Sequence, residues 1–200
     1  MIRALIFDLG NVVIPFDFRR GYAAMQPYCP YPAQEIPKRI RPTGLVPKYE
    51  TGQISSEAFV AELCRALDLR VSFDQFCELW TAIFLPGTLI PEDFLRALRR
   101  RYPLVALSNT NELHFRQVRA KYPVIGAFDH LVLSYEAGFA KPDRRIYEQA
   151  VARAGCAATE CLFVDDVEAY VEGARAAGME AFRFAGLAGL QAEFAARGVL

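Results

Sequence analysis

The segment Leu5-Ile6-Phe7-Asp8 places a carboxylate directly after a short apolar run, and a turn containing glycine follows it. Two later segments repeat this pattern, and a lysine precedes a proline between them. They are Ser108-Asn109 after Val105-Ala106-Leu107, Asp165-Asp166 after Leu162-Phe163-Val164, and Lys141-Pro142, where we expect a helix to open. Ligands of an open parallel sheet bind outside the carboxyl ends of its strands. We therefore expect these side chains to converge at one edge of a sheet.

Apolar runs and helical patterns alternate along most of the chain. The predicted strands are 2–9, 103–108, 130–134, 161–165 and 180–184, and helices are predicted near 111–121, 143–154, 168–177 and 187–196. Such alternation indicates an α/β fold with a mostly parallel sheet covered on both faces. From Asp17 to about Leu85 the spacing is helical, with capping signals at Ser55 and Ser72. We predict a core of residues 1–16 and 86–200 and a helical insertion, residues 17–85.

Composition narrows the possible partners and the compartment. The formal net charge is zero, so no overall basic field would gather nucleic acid or an anionic membrane. The amino terminus enters a short strand that contains a carboxylate, which predicts neither a signal peptide nor a membrane span. Five cysteines without C-x-x-C spacing indicate reduced thiols. We expect a cytoplasmic protein that binds neither nucleic acid nor membrane.

Asp8 has the chemistry of a nucleophile toward phosphorus. A carboxylate can form an aspartyl-phosphate, which water then hydrolyses. The negative charge of such a reaction requires a cation, and Mg²⁺ prefers oxygen ligands from one or two carboxylates, a carbonyl and the substrate. Asp8, the Gly10 carbonyl and Asp166 fit this requirement. Taken alone, Asp8 has a simpler interpretation as a turn or helix cap.

The remaining polar groups are suited to a phosphoryl group. The Ser108 hydroxyl, the Asn109 backbone amide and the Lys141 ammonium would bind its oxygens and stabilise developing charge. Individually, Ser108-Asn109 would more often be loop and N-cap chemistry, and Lys141 a surface lysine. The pair Asp165-Asp166 is harder to explain without function, because adjacent carboxylates repel unless a cation or donors compensate them. The ordered set of four segments carries the prediction.

That set resembles the haloacid dehalogenase-like hydrolase superfamily. The matching motifs are Phe7-Asp8-Leu9-Gly10-Asn11-Val12, Leu107-Ser108-Asn109-Thr110, Lys141-Pro142-Asp143 and Val164-Asp165-Asp166, with the cap signature Glu50-Thr51-Gly52-Gln53-Ile54-Ser55. The resemblance implies a Rossmann-like core, the inserted helical-bundle cap of subfamily I, and Mg²⁺-dependent phosphate ester hydrolysis. It makes Asp8 the nucleophile, Asp166 a metal ligand, and Asp165 a carboxylate in the metal site or directly behind it.

Two positions depart from the family pattern. Phosphatases of the family usually carry a second aspartate two residues after the nucleophile, where it acts as general acid, but this chain has Gly10. General acid catalysis typically contributes about 10²–10⁴-fold, so esters of poor leaving groups should suffer most. Tyr170 stands where an asparagine often follows the paired aspartates. Asp17 is a possible substitute acid, although a helix cap is the simpler interpretation.

The form Asp8-Leu9-Gly10-Asn11-Val12 resembles the branch that contains bacterial α-glucose-1-phosphate phosphatases. An anomeric oxygen leaves easily and depends less on a general acid, so we expect a small phosphorylated metabolite, in particular a sugar phosphate such as a sugar 1-phosphate. The protein is expected to be a monomer or homodimer. We assign His114 and His130 no catalytic role, and Trp80 and Phe84 are expected to make cap or hinge contacts.

Three alternatives remain open. A metal-independent 2-haloacid dehalogenase would also use Asp8, on carbon, but should carry an aromatic residue at the position of Gly10. A catalytically weak binding or regulatory protein of the same fold is favoured by Gly10 and Tyr170. A phosphorelay receiver also combines carboxylates, a hydroxyl and a lysine around Mg²⁺, but its acidic pair comes first and it has no helical insertion.

Overall fold

The computed structural model describes all 200 residues and contains one five-stranded parallel sheet. The strands are β1 (Ala4–Phe7), β2 (Leu104–Ser108), β3 (His130–Leu133), β4 (Cys161–Asp165) and β5 (Glu180–Arg183), in the order β3-β2-β1-β4-β5. The α/β prediction is confirmed. The first strand is shorter than predicted, because the backbone amides of Val13 and Ile14 both donate to the Leu9 carbonyl and close a turn.

Eleven α-helices surround the sheet and fill the insertion. They are α1 (Phe18–Met25), α2 (Ile36–Ile40), α3 (Leu45–Glu50), α4 (Ser56–Leu67), α5 (Phe73–Thr81), α6 (Glu92–Arg99), α7 (Glu112–Lys121), α8 (Ser134–Ala137), α9 (Arg144–Ala154), α10 (Glu168–Ala176) and α11 (Leu187–Ala196). Ser55 and Ser72 cap α4 and α5 as predicted. The prediction that Lys141 opens a helix is wrong, because Asp143 caps α9 by accepting from the Arg145 amide. No helix is long and apolar enough to cross a membrane.

Alternate residues of the central strand enter the two cores of the sheet. Leu5 and Phe7 of β1 face the cluster that includes apolar residues of α6, α7 and α11, whereas Ala4 and Ile6 face the cluster formed with α9 and α10. All four side chains are fully buried, as expected for a strand covered on both sides. Helix packing on both faces leaves the carboxyl edge of the sheet as the place where polar groups gather.

The helices α1–α5 have an apolar core of their own, built around Phe59, Phe76 and Trp80. The two chain segments that join this helical region to the sheet run side by side. The Asp17 amide donates to the Ile83 carbonyl at 2.9 Å, and the Leu85 amide donates to the Pro15 carbonyl at 3.0 Å. These bonds form a short antiparallel ribbon. The division of the chain into residues 17–85 and the remainder stays a prediction.

Candidate active site

The order of the strands brings the predicted site residues together. β1 lies between β2 and β4, so the chain's progression across the sheet changes direction at this strand. Asp8 follows β1, and its amide donates to the Val164 carbonyl of β4 at 2.9 Å. Ser108 is the last residue of β2, and Asp165 is the last residue of β4. These polar groups therefore lie where open α/β sheets bind ligands, at the carboxyl ends of the strands beside the change of direction.

Lys141 lies at the centre of this group with its side chain only 1% exposed. Its Nζ donates to Asp8 Oδ1 at 2.8 Å, to Asp165 Oδ2 at 2.6 Å and to the Leu107 carbonyl at 3.2 Å, so each ammonium hydrogen has an acceptor. Asn109 fixes the Lys141 backbone, since its Nδ2 donates to the Lys141 carbonyl and its Oδ1 accepts from the Lys141 amide. Residues at the ends of the strands therefore fix the position of Lys141, which itself lies in a loop.

Three carboxylates surround a space that fits a divalent cation. Asp8, Asp165 and Asp166 each offer an oxygen, and these atoms lie within 4.8 Å of one another. Lys141 balances only one of the three charges, and the Val167 amide also donates to Asp165 at 2.9 Å. No other residue donates a hydrogen bond to the Asp166 carboxylate. The Gly10 carbonyl accepts none from the chain. This donor set is what Mg²⁺ prefers.

The ionisation of these groups reflects their burial. Burial raises the pKa of Asp8 to about 7, although the Lys141 ammonium opposes this effect. Burial also lowers the pKa of Lys141, but the carboxylates of Asp8 and Asp165 outweigh it and hold the pKa above its ordinary value. The pKa of Asp166 is raised by burial and by the neighbouring Asp165. A bound dication would favour the charged forms of the carboxylates.

Two further polar groups border the acidic cluster. Ser108 is buried, and its hydroxyl makes no hydrogen bond within the chain, so it is free to donate to a ligand. The Tyr170 hydroxyl lies 3.4 Å from Asn109 Nδ2, and the centre of its ring lies 5.0 Å from Lys141 Nζ. Tyr170 therefore lies against Asn109 and the Lys141 ammonium, at the place where the family pattern often has an asparagine.

A cavity of about 860 Å³ separates the sheet edge from the helical region. Its polar walls include Asp8, Asn109, Lys141, Asp166, Tyr170 and Glu50, and its apolar walls include Phe16, Phe18, Tyr22, Trp80 and Ile83. Asp17 does not line it. The Asp17 carboxylate instead caps α1 by accepting from the Arg19 amide, and hydrogen bonds from the Arg19 side chain and amide lower its pKa. The helix-cap interpretation of Asp17 is confirmed.

The Phe16 ring occupies the space beside Gly10. A Cβ atom at Gly10 would lie 2.7 Å from Phe16 Cε1, which is closer than carbon atoms tolerate. Asn11 holds this arrangement, since it adopts a left-handed backbone conformation and its Oδ1 accepts from the Phe16 amide at 3.1 Å. Sequence patterns identified Gly10 as a departure but gave no sign that an aromatic ring fills the place of the missing side chain.

His114 is a packed residue of the cavity wall. Its Nε2 lies 3.1 Å from the Trp80 carbonyl and its Nδ1 lies 3.1 Å from Asn111 Nδ2, so the neutral ring is bonded at both nitrogens. Burial lowers its pKa to about 4. Trp80 stacks on it at 5.0 Å and Phe84 meets its edge at 5.4 Å. Trp80 and Phe84 therefore make the predicted contacts between the helices and the sheet region.

A parallel sheet that presents a buried lysine and three carboxylates at its central edge defines an enzyme of the phosphoryl-transfer or related hydrolytic type. The model of the haloacid dehalogenase-like hydrolase family matches residues 2–178. The chain belongs to this family of hydrolases, as the motif pattern predicts.

Several relatives are similar over nearly their whole length. D-ribitol-5-phosphate phosphatase of Bacteroides thetaiotaomicron is 25% identical over 92% of this chain and 92% of its own. Phosphatase MT3486 of Mycobacterium tuberculosis is 30% identical over 90% of this chain and 86% of its own. The crystal structure of the family enzyme BT-2542 of B. thetaiotaomicron, in complex with magnesium and inorganic phosphate, has a TM-score of 0.82 and 27% identity and covers 92% of this chain and 94% of that chain.

Proposed function

We propose that this protein is a Mg²⁺-dependent phosphatase that hydrolyses a small phosphate monoester through an aspartyl-phosphate on Asp8. The buried contact between Lys141 Nζ and Asp8 Oδ1 at 2.8 Å is the observation on which the proposal rests. It orients one oxygen of a carboxylate that has no other hydrogen-bond donor among the side chains. The second oxygen is then directed to the cavity as a nucleophile. The relatives named as phosphatases support the same chemistry.

The residues divide the work of the reaction. Asp8 attacks phosphorus, the bond from phosphorus to the leaving oxygen breaks, and water later cleaves the aspartyl-phosphate. Lys141 keeps Asp8 oriented and carries a positive charge beside the transferred group, while Asp165 holds the lysine in place through its 2.6 Å contact. The Ser108 hydroxyl and the Asn109 amide are assigned to the phosphoryl oxygens.

Asp8, the Gly10 carbonyl and Asp166 would hold the metal. Mg²⁺ supplies positive charge that neutralises the phosphoryl oxygens when it is bound. The three carboxylates and one ammonium leave an excess of negative charge at the sheet edge, and this charge would otherwise repel a phosphate dianion. The BT-2542 complex with magnesium and phosphate supports the same pairing of metal and substrate type.

The substrate is proposed to be a sugar phosphate, in particular a sugar 1-phosphate. No carboxyl group follows the nucleophile at Gly10, and the Phe16 ring fills that space. A leaving oxygen of low basicity, such as an anomeric oxygen, needs less help from an acid. The relative that acts on D-ribitol 5-phosphate supports a polyhydroxylated leaving group of similar size.

The test is a panel of phosphate esters with and without Mg²⁺, applied to the parent and to Asp8→Asn. The panel contains sugar 1-phosphates, sugar 6-phosphates, D-ribitol 5-phosphate and an aryl phosphate. We expect Mg²⁺-dependent release of phosphate, with the fastest turnover among the sugar or polyol esters. Asp8→Asn should lose at least about 10³-fold, because it removes the nucleophile and a metal ligand together.

Asp68→Asn is the matched control. Asp68 is exposed and adopts the left-handed conformation that asparagine also tolerates, so this variant should keep full activity. Asp8→Asn activity within tenfold of the parent would refute the nucleophile assignment. Release of chloride from a 2-haloacid without Mg²⁺, together with no phosphatase activity, would favour the dehalogenase alternative.

A further inference from the structure

Glu50 is a carboxylate in the cavity wall that the chemistry at the sheet edge does not use. It is the last residue of α3 and lines the same cavity as Asp8, Lys141 and Asp166. Tyr170 lines the same cavity; burial is the main cause that raises the pKa of its hydroxyl, and the charge of Glu50 adds to it. No side chain or backbone group of the protein donates a hydrogen bond to Glu50, and no cation pairs with it.

The neighbours of Glu50 are anchored to the sheet region. The Tyr49 hydroxyl accepts from the Leu113 amide at 3.1 Å and shares a 2.7 Å hydrogen bond with Ser56. Gly52 approaches Tyr135 so closely that a Cβ atom would lie 2.2 Å from its carbonyl oxygen, and its φ of +68° also favours glycine. Because Tyr49 and Gly52, on either side of Glu50 in the chain, are fixed, Glu50 is kept in the cavity wall by contacts that do not involve its own carboxylate.

An unpaired, partly buried carboxylate lacks hydrogen-bond donors. Burial raises the pKa of Glu50 to about 7, because no hydrogen-bond donor or cation of the protein stabilises its charged form. A ligand that brings donors to Glu50 would restore its solvation. Hydroxyl groups do so without adding charge. Arg41 lines the same cavity and has no carboxylate partner, so hydroxyl groups, which can both donate to Glu50 and accept from Arg41, suit both side chains.

The remaining walls suit a carbohydrate. Phe16, Phe18, Tyr22 and Trp80 present aromatic surface to the cavity, and the C–H faces of a sugar or polyol pack on such surface. Apart from the acidic cluster and Lys141, the titratable or charged groups that share the cavity with Glu50 are Tyr22, Arg41, His114 and Tyr170. His114 is neutral and bonded at both nitrogens.

We infer that Glu50 selects the substrate by accepting hydrogen bonds from the hydroxyl groups of a polyhydroxylated leaving group. This role rests on the proposed phosphatase function and adds to it the residue that distinguishes a sugar or polyol ester from a small phosphate. Glu50 acts on the leaving group and takes no part in breaking the phosphate bond.

The kinetic test compares Glu50→Gln with the parent on the best sugar or polyol phosphate and on acetyl phosphate, at saturating Mg²⁺. Glutamine keeps the shape but removes the charge and one acceptor. We expect the ratio of kcat/KM for the sugar ester to kcat/KM for acetyl phosphate to fall about 10- to 100-fold, mainly through KM. Glu62→Gln, an exposed change on α4, should leave the ratio as in the parent.

The pH dependence separates this role from that of an acid. If Glu50 accepts hydrogen bonds as a carboxylate, KM for the sugar ester relative to Glu50→Gln should improve as pH rises from 6 to 8. If it instead protonates the leaving oxygen, kcat on the sugar ester would fall over the same range and Glu50→Gln would lower kcat. The second result would overturn the inference.

A binding measurement makes the test independent of turnover. Calorimetry with Asp8→Asn and with Asp8→Asn/Glu50→Gln, both loaded with Mg²⁺, should show a loss of sugar phosphate affinity of about 10- to 100-fold in the double variant. Inorganic phosphate should bind both alike. Equal sugar phosphate affinities would overturn the role of Glu50 even if the parent is a phosphatase. Retained phosphate and sugar phosphate binding in a parent without any turnover would refute the proposed function alone.

Discussion

The two walls of the cavity differ in whether their polar groups have hydrogen-bond partners within the protein. At the sheet edge, each polar group of Lys141 and Asp165 has a partner, and the distances of 2.6–2.8 Å leave little freedom. The helical wall is mostly apolar and contains one carboxylate, Glu50, without any partner. In the proposed function, the sheet fixes in advance the groups assigned to the reaction, whereas the helical wall leaves an unpaired carboxylate to which the substrate would donate hydrogen bonds.

The two walls differ in whether their buried charges are paired. Removing one partner of a buried charge pair leaves the other charge uncompensated, so loss of the lysine should destabilise the sheet edge in addition to removing its proposed role in the reaction. Glu50 lies in a cavity wall rather than in the core, where a ligand can reach its unpaired carboxylate. Substitutions in the helical wall could then change substrate specificity without disturbing the sheet.

The largest effect is expected for Lys141→Met. The change leaves Asp8 and Asp165 buried without their cation, and breaking a buried pair in this way costs about 3–5 kcal/mol. We expect the free energy of unfolding at pH 7 to fall by this amount in metal-free protein, measured by urea denaturation, with complete loss of turnover. Arg144→Met removes the exposed pair with Glu148 and should change stability by less than about 1 kcal/mol. An equal loss of unfolding free energy in both variants would show that the buried and the exposed ion pair contribute alike.

The next effect concerns the pH dependence of stability in Glu50→Gln. The pKa of Glu50 is raised from 4.5 to about 7 in the folded protein, so the folded state holds this proton more tightly than the unfolded state. The parent therefore loses stability as pH rises through this range and stays less stable above it. Glu50→Gln lacks this loss, and its advantage over the parent should reach on the order of 3 kcal/mol at pH 8 and vanish near pH 4.

Urea denaturation of metal-free protein at several pH values measures this difference. Asp8 titrates in both proteins and cancels in the comparison. The exposed Glu62→Gln variant should follow the parent at every pH. A constant difference between Glu50→Gln and the parent would show that the Glu50 carboxylate is already well solvated in the free protein.

The smallest effect is expected for Gly10→Asp. The new Cβ would meet the Phe16 ring at 2.7 Å, and overpacking of this kind costs about 1–3 kcal/mol. Gly10→Asp/Phe16→Leu should recover part of the loss in thermal stability. Gly126→Asp is the control, because Gly126 has open space around its Cβ position. Full stability of the single Gly10→Asp variant would show that the ring yields easily and that the turn is less defined than the sheet edge.

Residue order along the chain was sufficient to predict the sheet and the members of its polar edge. Asp8, Ser108 and Asp165 each follow an apolar run, and parallel pairing brings the ends of such runs to one side by geometry alone. Lys141 was also identified, although it lies in a loop held by Asn109 rather than at a helix start. Local pattern is informative here because the strands themselves place the side chains.

The helical wall could not be predicted in the same way. The proximity of Phe16 to Gly10 depends on the Asn11 turn, and the exposure of Glu50 to the cavity depends on contacts of Tyr49 and Gly52 with distant helices. None of these contacts leaves a periodic signal in the sequence. Glu50 belonged to a recognised motif, but only the packing of its neighbours showed that its carboxylate has no partner.

The ribbon that joins the helices to the sheet also limits how they can move. Two separate linkers would let the helical region swivel as well as tilt, but the hydrogen bonds of Asp17 with Ile83 and of Leu85 with Pro15 fasten the linkers into one strip. A strip bends across its flat face much more easily than it twists. We expect the helices to swing about a single axis, so that the two cavity walls meet in the same alignment each time the cavity closes. A ligand too bulky for the closed cavity would keep the ribbon bent and the cavity open.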